Sequence, residues 1–373
     1  MAGPIAGAWG PCKAGGMSLR FPTPPCAAPD AGSPLGATGR SVRWGVVSTG
    51  RIATTVTGDL ALLEDSVLQA VSSRQADRAA AFAVEHGFTS SYGDDGGRTG
   101  HELMFADPSV EAVYIATPHG QHFEVARAAL AAGKHVVCEK SLTINAAEAL
   151  ELVDLARANG VFLMEAVWTR FLPAVHRALE IVDSGELGDV AWIRADLGFP
   201  APYDPAWRLW DPAAGGGALL DLAVYPLTWA LGVLGFPRSV QAVGVLNDDG
   251  VDTQESLTLG YASGAQAQLM CSLTGAGPRE AVIAGSKGWL RTGSPLNNPS
   301  FFEVHPADGP VRTEKFEPVG RNYVYELREA TRCIQQGLVE SPTMSWADSV
   351  DTMRLLDGAR NQLGVSYLND RTR

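Results

Sequence analysis

A run of residues typical of a buried strand, Lys134-His135-Val136-Val137-Cys138, ends abruptly in a charged pair, Glu139-Lys140. Burying an ion is costly unless it is paired, so charges at a strand's C-terminal end call for an explanation. In open α/β sheets that edge is where ligands bind. Farther along, Gly215-Gly216-Gly217 opens a stretch that carries Asp221 and Tyr225. Their spacing of four puts both on one face if the stretch is helical. A lysine, a carboxylate and a phenol beside a nucleotide-binding sheet are suited to hydride transfer between a carbinol carbon and a nicotinamide. Oxidation needs a base for the hydroxyl proton, and Tyr225 is the candidate. A free phenol has a pKa of about 10, so it needs nearby positive charge, which Lys140 can supply while hydrogen-bonding the substrate oxygen. Asp221 would orient Lys140 or the substrate hydroxyls. Lys140 as the proton carrier is the alternative that the spacing leaves open.

The elements that must position these residues are legible from Val42 onward. Short apolar strands at 42–48, 67–73, 112–116, 134–138 and 161–164 alternate with helical stretches at 76–86, 119–132 and 145–159. Such alternation means a parallel, doubly wound sheet, here assigned to a dinucleotide-binding domain over residues 41–165. The first turn is a modified fingerprint, with Ser48, Gly50 and Ala53 at the positions of G-x-G-x-x-G/A. Ser48, Thr49, Gly50, Arg51 and Ile52 are therefore expected around the pyrophosphate, with Gly50 leaving room for its approach. Ser72-Ser73-Arg74 closes the second strand with no acid for a ribose diol. Ser73 and Arg74 instead suit a 2′-phosphate, so NADP is expected in preference to NAD. Thr117, Pro118, His119, His122, Glu139 and Lys140 lie at the sheet's ligand edge and join the cofactor site. The histidine pair has no evident third ligand, so no metal is expected. Trp168 and Arg170, after the sixth strand, are candidates to line the pocket.

Residues 166–373 are expected to form a second domain, assigned to substrate binding. An amphipathic helix follows Pro173, then a strand at 190–197 and a Pro-bounded aromatic loop, Tyr203 to Pro212, whose Arg208 is a substrate-binding candidate. Strands near 238–246, 253–262, 265–274, 280–285 and 288–293 follow one another through short turns, the pattern of an antiparallel sheet. Helices at 321–336 and 346–363 close the chain. The 373 residues are 46% hydrophobic and 19% charged, with net charge −12, which argues against nucleic acid as a partner. No apolar run approaches the roughly 20 residues of a membrane span. Five irregularly spaced cysteines point to a reduced, cytoplasmic protein. Residues 1–40 are rich in Gly, Ala, Pro and Ser and are expected to be a disordered tail without a secretory signal; Met1 and Met17 are both candidate starts.

Four segments in this order, Val42 to Gly50, Cys138-Glu139-Lys140, Glu165 to Pro173 and Gly215 to Tyr225, resemble the Gfo/Idh/MocA oxidoreductases. Within that family the chain looks most like the dimeric dihydrodiol dehydrogenase and D-xylose dehydrogenase branch, over about residues 42–365. The resemblance implies an α/β protein: an N-terminal Rossmann domain plus a C-terminal α+β domain with a large, mostly antiparallel open sheet. That sheet often forms a dimer surface in the family, so a homodimer or homotetramer is expected. By resemblance Lys140 matches the lysine of the Glu-Lys-Pro motif, Asp221 and Tyr225 match D-x-x-x-[HY], and His122 matches a common family histidine. Ser141 departs from the motif's proline, which removes a ring constraint from the backbone after Lys140. The implied activity is NADP-dependent hydride transfer to or from a hydroxyl of a sugar, polyol or dihydrodiol. Two alternatives stand beside it: an NAD-dependent glycosidase of the same superfamily, and a non-catalytic NADP-binding regulator.

Overall fold

The computed structural model describes residues 21–28, 30–367 and 370. Six strands, β1 Val42–Val47, β2 Ser66–Ser72, β3 Ser90–Tyr92, β4 Ala112–Ile115, β5 His135–Glu139 and β6 Leu163–Ala166, form one sheet. Its order is β3-β2-β1-β4-β5-β6, and every pairing is parallel. The central strands are buried throughout because helices cover both faces, which is why they read as unbroken apolar runs. Those helices are α1 Arg51–Leu60, α2 Ala76–His86, α3 Gly100–Phe105, α4 His119–Ala131 and α5 Ala146–Asn159. Asn145 caps α5 by accepting from Glu148 N, and Gly160 closes it in the left-handed region, at the positions where the sequence places a start and a stop. The chain leaves β1, β4, β5 and β6 at the same edge of the sheet.

After a 3-10 turn at Trp168–Phe171 and helix α6 Pro173–Asp183, eight strands form the second sheet. They are β7 Val190–Gly198, β8 Ser239–Leu246, β9 Asp252–Gly260, β10 Gln266–Ser272, β11 Ala281–Gly285, β12 Gly288–Thr292, β13 Phe301–Pro306 and β14 Arg312–Lys315. The order β14-β13-β12-β11-β7-β10-β9-β8 is antiparallel except at its middle, where β7 and β10 run parallel. The sequence, read as strands in series, misses β13 and β14 and gives no sign of that parallel pair, because neither is written in local turn chemistry. Between β7 and β8 lie a 3-10 turn at Pro212–Ala214 and helices α7 Ala218–Leu222 and α8 Val224–Leu234. Helix α8 packs on β7 and β10, and the strands alternate accordingly: Ala267, Leu269 and Cys271 are buried while Gln266, Gln268 and Met270 face out. The outer face leaves Trp192, Val243, Val245 and Met270 exposed. Helices α9 Val324–Gln335 and α10 Trp346–Leu363 end the fold. Among the described residues no single helix is long and apolar enough to cross a membrane.

The expected disordered tail needs correction. Residues 1–20, with Cys12 and Met17, lie outside the described residues, but Phe21 to Ala28 and Asp30 to Thr38 make contacts with the body. Phe21 is buried between the Arg170 guanidinium, 4.0 Å from its ring centroid, and the edge of His176. Buried Arg328 donates to the carbonyls of Pro34 and Leu35, and Thr343 to that of Pro22. Donors from α9 and its surroundings hold the backbone of this segment, a stabilisation that requires little apolar content in the segment itself and that composition does not reveal.

Candidate active site

The edge where β5 ends meets the break between α7 and α8. Lys140 is 8% exposed. Its Nζ donates to Asp221 O at 2.7 Å and to Asp221 Oδ1 at 3.3 Å, and lies 5.1 Å from the centroid of the Tyr225 ring. Asp221 and Tyr225 do not share one helix: the chain bends by 42° between the segments that carry them. Both nevertheless flank the ammonium. Arg208 Nη1 reaches the same Asp221 Oδ1 at 2.9 Å, and His119 Nε2 lies 3.9 Å from it. Trp168 Nε1 donates to the Tyr225 hydroxyl at 3.3 Å, and its ring stacks on Tyr323 with centroids 4.6 Å apart. Thus the predicted Lys140, Asp221, Tyr225, Trp168 and Arg208 come together in one constellation.

Local backbone explains how α7 is delivered there. Gly217 has φ +123°, and a Cβ on it would collide with the Asp252 carboxylate. Asp252 must sit there because it accepts from Leu219 N at 2.6 Å, in the first turn of α7. Tyr367 OH donates to Gly216 O at 2.9 Å and ties the glycine turn to the chain's end.

The charges are tuned by burial and by each other. Burial raises the Asp221 carboxyl, but Lys140 and Arg208, then His119, outweigh it and hold it well below the usual carboxylate range. Burial pulls Lys140 down, yet Asp221 and then Tyr225 outweigh that and keep its pKa above the ordinary value. For Tyr225 the expected lowering is not met: burial raises the phenol, Lys140 lowers it, and the net shift is upward. Both groups therefore hold protons at neutral pH. Burial, reinforced by Lys140, lowers His119 to about 3, and burial lowers His122 to about 4. His119 sits between Gly215 O and Lys140 O, both at 3.0 Å, and His122 between Ser141 O and Thr117 O, both at 2.8 Å. A neutral imidazole donates to one of its two carbonyls only. The two rings thus fill the space between the loop after β5 and its neighbours, His119 against the turn before α7 and His122 against the loop after β4.

Ser141 is buried, and its Oγ donates to Leu220 O at 3.0 Å. The peptide between Lys140 and Ser141 is cis. Behind it, Tyr114 OH donates to Glu139 Oε1 at 2.7 Å and stands 3.2 Å from Glu326 Oε1. Burial pushes both Glu139 and Glu326 up. Tyr114, Tyr323 and Glu326 escape sequence reasoning. The available signals are weak: a tyrosine inside an apolar strand, and an acid on the buried face of α9.

At the first turn, Ser48 has φ +97°, the region that favours the glycine of the usual fingerprint, and its Oγ accepts from Gly50 N at 3.2 Å. Gly50 begins α1, and a Cβ there would meet only Ser48 Oγ. The following N–H groups, from Arg51 and Ile52 onward, open the helix toward that space. Thr49 is half-buried beside them. Arg74 is exposed just past β2, next to Ser73, whose N–H is taken by Tyr92 O. The Thr117 hydroxyl, before Pro118 at the start of α4, is buried with no hydrogen-bond partner among the described residues. An open helix N-terminus, a glycine-like turn and an orphan hydroxyl on one sheet edge fit a dinucleotide. Arg170 does not join this set: its guanidinium is paired with Asp348 at 2.7 Å and stacks on Phe21.

Comparisons with known proteins agree with this architecture. Residues 42–167 match the model described as "Oxidoreductase family, NAD-binding Rossmann fold", and residues 175–291 that of the "GFO/IDH/MocA C-terminal domain". The chain is 36% identical over 344 residues to the trans-1,2-dihydrobenzene-1,2-diol dehydrogenase of Mus musculus, covering 89% of this chain and 99% of that one. It is similar in structure to a 3-ketoreductase from Actinomadura kijaniata in complex with NADP and TDP-benzene, with TM-score 0.78, 25% identity, and 87% and 98% of the two chains covered. It shares its fold with a levoglucosan dehydrogenase in complex with NADH and levoglucosan, with TM-score 0.77, 22% identity and the same coverages.

Proposed function

The chain belongs to the GFO/IDH/MocA family of NAD(P)-binding oxidoreductases, and on that premise we propose that it is an NADP-dependent dehydrogenase of cyclic diols or sugars. The observation that carries this reading is the buried Lys140 ammonium held between Asp221 and Tyr225 at the nucleotide edge of the parallel sheet. A trans-dihydrodiol is the first substrate class to test, because the 36% identical relative acts on one. Sugars present the same vicinal hydroxyls.

When bound, the nicotinamide supplies the hydride acceptor or donor. Lys140 Nζ hydrogen-bonds the reacting oxygen and favours negative charge on it. Tyr225, a proton donor in the protonation state derived above, gives its proton to that oxygen in carbonyl reduction; in alcohol oxidation its phenolate form takes the hydroxyl proton, so that direction is favoured by alkaline pH. Trp168 Nε1 holds the phenol oxygen in place. Asp221 fixes the lysine, and Arg208, half-exposed beside it, faces the substrate's second hydroxyl. Ser48 to Ile52 take the pyrophosphate, Ser73 and Arg74 the 2′-phosphate, and Thr117 to His122 the neighbourhood of the nicotinamide. The outer face of the second sheet, with Trp192, Val243, Val245 and Met270, is the surface on which two chains would pair.

The test is the initial rate of NADPH formation with benzene trans-dihydrodiol, D-xylose and D-glucose, and of NADPH consumption with the matching carbonyls. Lys140→Ala should reduce kcat/KM by about 10²–10⁴-fold. An inert panel, or a rate that Lys140→Ala leaves intact, overturns the reading. Sugar release from a glycoside without net NADPH would replace it with the glycosidase.

A further inference from the structure

The loop after β5 carries a hydroxyl at the position where the family motif has a ring. Proline fixes φ by its ring; serine leaves it free. In this chain the missing constraint is matched by a latch. Ser141 is 1% exposed and its Oγ donates to Leu220 O at 3.0 Å, while the preceding Lys140 Nζ donates to the next carbonyl, Asp221 O, at 2.7 Å. Two successive side chains thus engage two successive carbonyls in the last turn of α7, where helix carbonyls need outside donors. On the opposite side the carbonyls of the same two residues face histidine rings, Lys140 O 3.0 Å from His119 Nε2 and Ser141 O 2.8 Å from His122 Nδ1. Leu142 N completes the frame by donating to Glu165 Oε1 at 2.9 Å.

We propose that Ser141 is a positioning residue: its hydroxyl joins the end of β5 to α7 and so sets Lys140 Nζ against Asp221 and Tyr225. Without that bond the loop is tied to the helix that carries the acid through the flexible lysine side chain alone. Lys140 then swings relative to the phenol. Small displacements of a catalytic group have large effects on turnover and small ones on cofactor binding.

The activity arm of the test rests on the dehydrogenase reading; a second arm does not. Ser141→Ala and Ser141→Pro are compared with the wild-type enzyme in kcat, in KM for NADP, and in the rate at which Lys140 is acylated by an amine-reactive ester, read by peptide mass spectrometry. For Ser141→Ala we expect kcat to fall about tenfold with KM for NADP unchanged, and Lys140 labelling to rise at least severalfold. Ser141→Pro, which restores a ring constraint, should recover at least half of both changes. Should Ser141→Ala fold poorly, Ser141→Cys keeps the shape with a slightly larger atom, weakens the donor and carries the same expectation. A kcat within twofold of wild type overturns the proposal, as does a fall in kcat with unchanged Lys140 labelling. If the wild-type enzyme turns over nothing in the panel, the labelling arm still decides: unchanged labelling in Ser141→Ala refutes the latch.

Discussion

Replacing His176 with glutamine tests how the turn that carries Trp168 onto Tyr225 is held. His176 is 1% exposed, lies against the edge of Phe21, and places Nε2 2.8 Å from Arg170 O. Its Nδ1 has no partner among the described residues, as expected of a neutral ring. Burial lowers its pKa to about 4, against about 6.5 in the unfolded chain. The folded state therefore binds fewer protons, and the stability due to this site is present above the unfolded pKa and lost as pH falls toward the folded one. Between pH 7.5 and pH 5.5 the loss comes to about 1 kcal/mol. The wild-type curve alone does not isolate it, because buried acids move the other way: burial raises Glu165 to about 7, so that site gains stability as pH falls. The difference between wild type and His176→Gln cancels those contributions, and the glutamine amide can still donate to Arg170 O. Urea unfolding followed by tryptophan fluorescence at the two pH values should show the wild type losing about 1 kcal/mol relative to the variant. A difference that stays constant with pH refutes the neutral buried histidine.

Other consequences are as direct. Arg74→Ala should raise KM for NADP about 10- to 100-fold and leave that for NAD unchanged, since a guanidinium–phosphate bond is charge-assisted; equal effects on both cofactors would remove Arg74 from the 2′-phosphate site. Asp221→Asn removes a charge that raises both Lys140 and Tyr225. The basic limb of the pH profile of kcat/KM should move to lower pH, whichever of the two carries the proton; an unmoved limb would exclude both. Phe21→Ala should cost about 3 kcal/mol and lower Tm by several degrees, because the ring fills the space between Arg170 and His176. An unchanged Tm would return the segment to the role of a loose tail.

What could be read in the chain beforehand follows from locality. The parallel sheet announced itself through apolar runs and caps, and Lys140 through a charge at the end of one such run. Ser48 was legible as a departure from glycine, but not that it keeps glycine's backbone conformation. Asp221 and Tyr225 were found by spacing, although the helix assumed for that spacing is broken at Ala223. Arg170 was misplaced because a residue beside a site in sequence can turn its guanidinium the other way, here to Asp348 on α10. Tyr323 and Glu326 reach the site from α9 and the residue before it, a long-range packing that no window of sequence contains. The ordered segment from Phe21 depends on Arg328 and Thr343, and is equally invisible locally.

The parallel pairing of β7 with β10 at the centre of an otherwise antiparallel sheet has a consequence for how such an enzyme can change. A parallel pair requires a crossover, and α7 and α8 lie within it. The helices bearing Asp221 and Tyr225 are therefore anchored by the middle of the sheet and cannot be exchanged without tearing it. The loop in front of them, from Phe199 to Gly216, is joined to β10 and the residue after it only at its start, through Phe199 and Ala201. Its exposed aromatic residues, Tyr203 and Trp207, can be replaced while the chemistry stays in place, whereas Arg208, bonded to Asp221, belongs to the machinery. Substrate range and catalytic machinery are thus separable units of inheritance in this fold, and grafting that loop between relatives is the natural route to new specificity.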